Sequence, residues 1–284
     1  MAGYGRWLLL LCLLGLGCAG PVKTGEDLQS RALSLNDEGY QYYRQGHFNA
    51  AEGKFSQALK LNRLIDRRKG IAANLNNLGV IAQEQGAPEQ AMAYFREALD
   101  LNRDLEDPAG LSETLNNLGS AYLSQGKVEE ARKAYQEALE YAQTLPPGPL
   151  LALSLTHLGD AARARRDYDQ ALDYYRQALA GDEARKDMPG QAVCWQRLGG
   201  TFVDLKDYPQ AGIYLHGALG EFRRLENTDG IADTLKDLTR LALAQGDREE
   251  AALQGNLLLE IYRARGQEQE ARKLEALLQN NKGH

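Results

Sequence analysis

The sequence predicts an all-α fold, a right-handed α-solenoid of about six antiparallel helix pairs that ends in a capping helix. Three observations predict it: a Leu-Gly pair that recurs every forty residues, alanine and aromatic positions that keep the same step, and helical spacing inside each repeat. The Leu-Gly pairs begin at Leu78, Leu118, Leu158 and Leu198. A fixed period of about 20–50 residues is typical of stacked units that bury their apolar faces on their neighbours.

The third repeat shows why each unit is a helix pair. Residues at spacing i, i+3, i+4, i+7 are Leu115, Leu118, Gly119 and Tyr122. A second set, at i, i+4, i+7, is Ala131, Tyr135 and Ala138. Each set covers one face of a helix with 3.6 residues per turn. Gly126 stands between the two sets, where a glycine can take a positive φ and end a helix.

This pattern resembles the tetratricopeptide repeat, which has Leu-Gly and then Tyr in its first helix and Ala, an aromatic residue and Ala in its second. Trp195 occupies the leading aromatic position of that family in the fifth unit. The forty-residue step is similar to the Leu-Gly-Asn and kinesin-light-chain subtypes. The resemblance implies a concave surface that binds a protein or peptide, and it implies no enzymatic activity.

The predicted units are 31–70, 71–110, 111–149, 150–190, 191–230 and 231–266. The two end units depart from the pattern, as expected of repeats with one face toward water: Glu38 replaces the leucine in the first, and Gly255 replaces the aromatic residue in the sixth. Residues 267–284 are predicted to form a capping helix and tail. Its apolar residues are Leu274, Leu277 and Leu278. The segment Pro146–Pro149 is predicted to end a helix early, with a hinge as the alternative.

Residues 1–17 are predicted to be a signal peptide of the lipoprotein type. Arg6 precedes Trp7–Leu16, a run of ten residues without charge that is too short to span a bilayer. The segment ending in Cys18 resembles a bacterial lipobox, in which the cysteine is acylated and anchors the protein to a membrane. Cleavage after Ala19 and an uncleaved anchor are the alternatives. Residues 18–30 would be the tether, and the location would be the bacterial cell envelope, as an outer-membrane lipoprotein facing the periplasm.

Composition and charge argue against nucleic acid as a partner. The chain has 33 basic and 39 acidic residues, a net charge of −6, and no long basic cluster. The four histidines are scattered and no pattern of metal ligands or catalytic groups is present, so we expect no cofactor, no metal and no enzymatic activity. Cys194, the third cysteine after Cys12 and Cys18, is predicted to be a buried structural thiol.

Asparagines in the middle of the first helices are the polar feature that most needs an explanation, because asparagine is a poor helix former. Asn76 and Asn77 are repeated as Asn116 and Asn117, and Asn36 precedes them. In the resembled family, asparagines at this position hold the main chain of bound peptides. Alternatively, these amides bond to one another or cap neighbouring helices. The predicted peptide-binding groove comprises Asn36, Tyr40, Tyr43, Asn76, Asn77, Gln83, Glu113, Asn116, Asn117, Ser120, His157, Asp160, Arg163 and Arg197.

The function expected from the sequence is a membrane-anchored binding scaffold that helps assemble or localise an envelope complex, such as pilus, secretion or cell-wall machinery. The alternative is a peptide-sensing subunit of an envelope signalling system. The sequence does not specify the partner or the oligomeric state.

Overall fold

The computed structural model describes residues 24–280, and this part of the chain contains thirteen α-helices and no strand. Helices α1 to α12 form six antiparallel pairs and α13 follows them, which confirms the predicted α-solenoid class. The helices are α1 Gly25–Arg44, α2 Phe48–Leu64, α3 Arg68–Glu84, α4 Pro88–Asp104, α5 Pro108–Ser124, α6 Val128–Gln143, α7 Pro149–Ala164, α8 Tyr168–Arg185, α9 Met188–Leu205, α10 Tyr208–Arg224, α11 Thr228–Gln245, α12 Arg248–Ala264 and α13 Glu268–Asn280.

Short connections keep the helices of each pair antiparallel, and their sequence explains their shape. At Gly46, Gly86 and Gly126 the backbone takes a φ of +74°, the left-handed conformation in which glycine avoids the steric cost of a Cβ. Gly126 therefore ends its helix as predicted. Several helices then begin with a side chain that accepts a hydrogen bond from the third helical N–H. These caps are Asp107, Asp167, Asp187, Asp207, Asn227 and Asp247.

The Leu-Gly step is a packing requirement of the helix pair. A Cβ built on Gly119 would lie 2.4 Å from Cε1 of Tyr135, and one on Gly79 would lie 2.4 Å from Cε1 of Phe95. Both rings are fully buried. The glycine of the first helix thus provides the space that the aromatic side chain of the second helix fills, which is why the two positions recur together.

The helices that open the pairs (α1, α3, α5, α7, α9 and α11, hereafter the first helices) line the inner side of the array. From α3 to α11 each first helix contacts the next first helix, whereas the second helices pack mainly on the first helices beside them. The first helices are thus the more closely spaced layer, and the array curves toward them. Burial is the main cause that raises the pKa of Tyr43 and Glu84, and the charge of Asp229 at the start of α11 adds to it in both, so a charge of the sixth unit acts on the first two.

The last helix covers the exposed end of the array. Ala271, Leu274 and Leu278 are buried, and Leu278 packs on Gly255, the position where most other units carry an aromatic ring.

The predicted boundaries between units at 70, 110, 190 and 230 differ slightly from the observed ones. They lie in the first turns of α3, α5, α9 and α11 rather than in the connections before these helices. The glycines that set those divisions are helical residues packed against the preceding helix, as Gly70 is against Asn62.

The proline-rich segment between the third and fourth units shortens one helix. Helix α6 ends at Gln143, and Pro149 occupies the first turn of α7, where a missing N–H costs little. Helices α6 and α7 pack directly against each other, as the neighbouring helices elsewhere do.

The predicted signal peptide and residues 18–23 of the predicted tether, Cys18 included, lie outside the described residues, as does the tail after residue 280. Residues 25–30, which the prediction placed in the tether, are helical and form the start of α1, because Thr24 caps the helix there. Across residues 24–280, none of the helices combines the length and the apolar character needed to cross a bilayer.

Candidate functional site

The asparagines of the second and third units connect successive first helices. Tyr40 Oη donates to Asn77 Oδ1 at 3.0 Å, and Asn117 Nδ2 donates to Asn76 Oδ1 at 3.0 Å. Asn76 Nδ2 in turn donates to Glu113 Oε1 at 3.1 Å. Asn76 and Asn77 are only 4% and 8% exposed. The bonding of these amides to neighbouring helices, which the sequence left open as an alternative, is therefore what the structure shows.

Asn116 extends this set of contacts into the fourth unit. Its Nδ2 donates to Ser154 Oγ at 2.9 Å, and its Oδ1 lies 3.2 Å from His157 Nδ1. The imidazole also lies over Tyr135, with ring centroids 4.9 Å apart. Burial lowers the pKa of His157 to about 4, so the ring is neutral at pH 7. Ser120 Oγ lies 3.1 Å from the Tyr135 hydroxyl.

A second series of polar contacts joins the end of one second helix to the next first helix. Asn62 Nδ2 donates to Asn74 Oδ1 at 2.7 Å, and Asn74 Nδ2 donates to Asn36 Oδ1. Forty residues on, Asn102 Nδ2 donates to Thr114 Oγ1 at 3.2 Å. Asn36 thus belongs to an interhelical chain of amides rather than to a row of free side chains.

Cys194 occupies the corresponding place in the fifth unit. It is 1% exposed, and its Sγ donates to Asp182 Oδ2 at 3.5 Å. Burial, together with the nearby carboxylate, raises the pKa of the thiol to about 12. The predicted structural role is confirmed, because a buried thiol that stays protonated is a poor nucleophile.

In the C-terminal half, the predicted groove residues form a charged network. Arg197 Nε lies 3.0 Å from Asp160 Oδ1, and Tyr175 Oη donates to the same oxygen at 2.7 Å. Arg163 Nε donates to Asp204 Oδ2 at 2.7 Å. The first helices α7 and α9 are therefore joined by ion pairs where α3 and α5 are joined by amides.

The network continues into the sixth unit. Arg240 Nη1 donates to Asp237 Oδ1 at 2.7 Å, and its Nη2 pairs with Asp204. Arg197 Nη1 donates to Gln196 Oε1 at 2.6 Å, and Gln196 reaches Asp237. The network balances three aspartates against three arginines: Asp160, Asp204, Asp237, Arg163, Arg197 and Arg240.

Two predicted groove residues lie at the ends of the first helices. Tyr43 is half-buried against Phe48, with ring centroids 5.9 Å apart, and burial raises its pKa to about 12. Gln83 is half-buried near the end of α3. Of all the predicted groove residues, Tyr40, at 46%, and Glu113 keep the most exposed surface.

One inner row was missed by the sequence reasoning, apart from Glu113. Its members lie five residues before the leucine of each Leu-Gly pair, and at the same place in the two end units, five residues before Glu38 and Leu238. Every one of them is exposed. We call it the floor row; it consists of Leu33, Ala73, Glu113, Leu153, Val193 and Asp233. It runs along the inner side of all six units. The forty-residue step gives the positions of this row. Because the residue type at these positions changes from unit to unit, a pattern of recurring residue types does not reveal it.

Glu113 and Asp233 in the floor row, and Glu84 near the end of α3, form no ion pair with any residue between 24 and 280. Burial raises the pKa of all three carboxyl groups, because neighbouring helices exclude water from the recess even though the side chains keep open surface. On the outer side, by contrast, carboxylates are commonly paired, as Glu97 is with Arg63 at 3.0 Å. The inner surface therefore carries carboxylates that form no ion pair, although the charges of Arg197 and Lys236 act on Asp233.

A cavity of about 400 Å³ lies between α11 and α12, apart from the floor row. Its apolar lining includes Ile231, Leu235, Leu257 and Ile261. None of the predicted groove residues lines it.

A family model described as tetratricopeptide repeat matches residues 30–104 and 110–184, more than half of the chain. The chain belongs to the tetratricopeptide repeat family. Tetratricopeptide repeats generally form scaffolds for protein interaction rather than catalytic sites. A comparison with curated proteins finds no match.

Solved tetratricopeptide-like structures share the fold at low sequence identity. A Rap protein complexed with Competence and Sporulation Factor has a TM-score of 0.71 and 16% identity, covering 91% of this chain and 76% of that one. BtubC from P. vanneervenii has a TM-score of 0.58 and 19% identity, covering 84% and 91%. PilF from Pseudomonas aeruginosa has a TM-score of 0.54 and 22% identity, covering 87% and 99%. At these identities the likeness concerns the fold alone.

Proposed function

We propose that this tetratricopeptide repeat protein, with its forty-residue units of the Leu-Gly-Asn and kinesin-light-chain type, is a non-enzymatic scaffold that holds a protein or peptide partner against its inner surface. The observation that carries the proposal is the floor row. Its side chains stay exposed through all six units, while most of the polar groups beside them are bonded to neighbouring helices. A row of exposed side chains with apolar members is the kind of surface that binds another chain.

The groups that could have supported catalysis are engaged elsewhere. His157 is neutral and held against Asn116, and Cys194 is buried with a protonated thiol. The aspartates and arginines of the inner side bond mainly to one another. These contacts support binding rather than chemistry as the role of the inner surface.

The test is site-specific photo-cross-linking in the native cell. A photoreactive amino acid at Leu153 or Val193, both in the floor row, should cross-link the partner. The matched controls are Ile213 and Leu253, exposed apolar residues on second helices at 67% and 55%. Capture of the same partner in equal yield from the control positions would contradict binding at the inner surface.

A second candidate function is a peptide-sensing subunit. It is favoured by the TM-score of 0.71 with the Rap protein, whose structure holds Competence and Sporulation Factor. The cross-linked product distinguishes the two candidates. A scaffold should give an adduct with a folded protein, whereas a sensor should give an adduct with a short peptide, and mass spectrometry separates the two.

We further propose that acylation of Cys18 holds the protein on a membrane of the bacterial cell envelope, with an outer-membrane position facing the periplasm. The support is the sequence: an uncharged run, Trp7–Leu16, followed by a cysteine of lipobox type. Because α1 begins at Gly25, an extended tether would keep the array within about 25 Å of the bilayer. Two or more acyl chains are enough for stable anchoring.

Replacing Cys18 with serine should move the protein from the membrane fraction to the soluble fraction, because no acyl chain can then be attached. Cys12→Ser, a change in the same segment, is the control and should leave the protein with the membranes. Membrane pelleting followed by immunoblotting measures both. If the Cys18 variant pellets as fully as the unmodified protein, acylation is not what holds it.

A further inference from the structure

We propose that the partner presents to the floor row an extended segment with two basic side chains separated by two aliphatic ones, each three residues from the next. The basic side chains would pair with Glu113 and Asp233, and the aliphatic ones would contact Leu153 and Val193. This inference rests on the proposed binding function and specifies the chemistry of the ligand.

The order of residues along the floor row sets the pattern. From the third unit to the sixth it reads acidic, aliphatic, aliphatic, acidic: Glu113, Leu153, Val193 and Asp233. The two aliphatic side chains keep 39% and 37% of their surface exposed although they lie on the inner side. A complementary segment therefore needs apolar groups in the middle and charge at both ends.

The spacing of the first helices determines the interval between the contacting side chains of the partner segment. Successive first helices contact each other from α5 to α11, and packed helices have axes about 8–10 Å apart. A chain in the polyproline II conformation rises about 3.1 Å per residue and repeats its side-chain direction every three residues, or about 9 Å. One side chain in three therefore meets one unit of the floor row, and three steps from Glu113 to Asp233 correspond to ten residues.

The charges of the inner surface determine that the two end side chains of the partner segment must be basic. Glu113 accepts a hydrogen bond from Asn76 but pairs with no cation. Asp233 makes no hydrogen bond or ion pair with any described residue, although the charges of Arg197 and Lys236 act on it from nearby. The arginines nearest the row, Arg163, Arg197 and Arg240, are already matched by the aspartates of the network. A lysine or arginine side chain would therefore find an unmatched carboxylate at each end, while an acidic segment would be repelled.

The test uses three fluorescein-labelled ten-residue peptides. The probe is Lys-Pro-Ser-Leu-Pro-Ser-Leu-Pro-Ser-Lys, whose spacing is the same in either chain direction and whose prolines favour the required conformation. The second peptide has the same composition in the order Lys-Lys-Pro-Ser-Leu-Leu-Pro-Ser-Pro-Ser. The third replaces both lysines of the probe with glutamate. Fluorescence anisotropy at low and high salt measures the dissociation constants.

We expect the probe to bind at least about tenfold more tightly than either of the other peptides, and to weaken as salt screens the two ion pairs. Glu113→Lys combined with Asp233→Lys should reverse the preference toward the glutamate peptide. The control combines Glu89→Lys with Glu140→Lys, exposed carboxylates on second helices, and should keep the original preference. Circular dichroism checks that each variant is folded.

Equal binding of the ordered and reordered peptides, absence of binding by the probe, or an unchanged preference after charge reversal would overturn the inference. These results leave the proposed function standing if cross-linking at Leu153 still captures a partner, because the partner then binds the inner surface through other chemistry. If cross-linking at Leu153 captures no partner, both this inference and the proposed function are wrong.

Discussion

Replacing Gly119 with valine should lower the free energy of unfolding by about 2–3 kcal/mol, near the upper end of the usual cost of overpacking a core. The reason is geometric: the new Cβ would lie 2.4 Å from Cε1 and 2.6 Å from Cδ1 of Tyr135, a ring that is 1% exposed. The ring has no free space to enter, so the two helices must separate. Urea unfolding followed by circular dichroism measures the loss.

The matched control is Gly53→Ala, in the interior of α2. A Cβ at Gly53 meets nothing within 4 Å, so this change should stabilise the protein by about 0.5–1 kcal/mol through helix propensity. Opposite signs at two helical glycines would show that packing, not helix propensity, keeps glycine in the Leu-Gly step. If the Gly119 variant unfolds at the same urea concentration as the unmodified protein, the helix pair has more room than the structure indicates.

The sequence was sufficient to predict the helix pairs because their packing repeats. Each Leu-Gly step needs a large side chain sixteen residues later, so the same residue types return at the same places. Gly255 shows the limit of this rule. The position of the missing aromatic residue was evident, but its replacement in space by Leu278, from a helix beyond the six pairs, depends on how α13 docks.

The partners of the asparagines could not be predicted in the same way. The sequence placed Asn76, Asn77 and Asn117 on the inner side, but whether an amide points into the groove or at the next helix depends on ångström-scale separations. Here the helices are close enough for Asn117 to reach Asn76, and for Tyr40 to reach Asn77. The amides are therefore part of the stacking of units, and a partner would meet mainly the floor row.

The floor row was missed for a related reason. Packing positions keep their residue type from unit to unit because each faces the same neighbour, whereas a binding position faces a ligand that differs along its length. Leu153 and Asp233 occupy equivalent places yet share no chemistry. In a repeat array, the register locates such a row, and variation within an exposed row distinguishes it from the core.

The two halves of the inner side join their first helices by different means. Amides connect α3 with α5, one of them by donating to the Glu113 carboxylate, and ion pairs connect α7, α9 and α11. The amide contacts need no charge balance, but the ionic ones do, because a carboxylate withdrawn from water needs a cation beside it. The C-terminal half is therefore the more sensitive to the loss of one charged side chain.

Replacing Arg197 with methionine should consequently destabilise the protein by about 2–3 kcal/mol, somewhat less than the loss of one partner of a fully buried pair. The Arg197 side chain is 29% exposed and that of Asp160 19%. Without the guanidinium, the Asp160 carboxylate keeps the hydroxyl of Tyr175 as its one hydrogen-bond partner among residues 24–280. Chemical denaturation gives the overall loss. Hydrogen exchange should show weakened protection in α7 and α9 first, since each unit of a repeat array is stabilised mainly by its neighbours.

Arg176→Met is the control, since Arg176 lies on α8 with 56% of its side chain exposed and pairs with Asp173 at 3.9 Å; the expected effect is below about 0.5 kcal/mol. Adding Asp160→Asn to the Arg197 variant should recover part of the loss, because it removes the charge left unpaired. A double variant less stable than Arg197→Met alone would show that the methionine disturbs packing instead. Recovery would establish that charge matching between α7 and α9, rather than the volume of the arginine, holds this half of the array together.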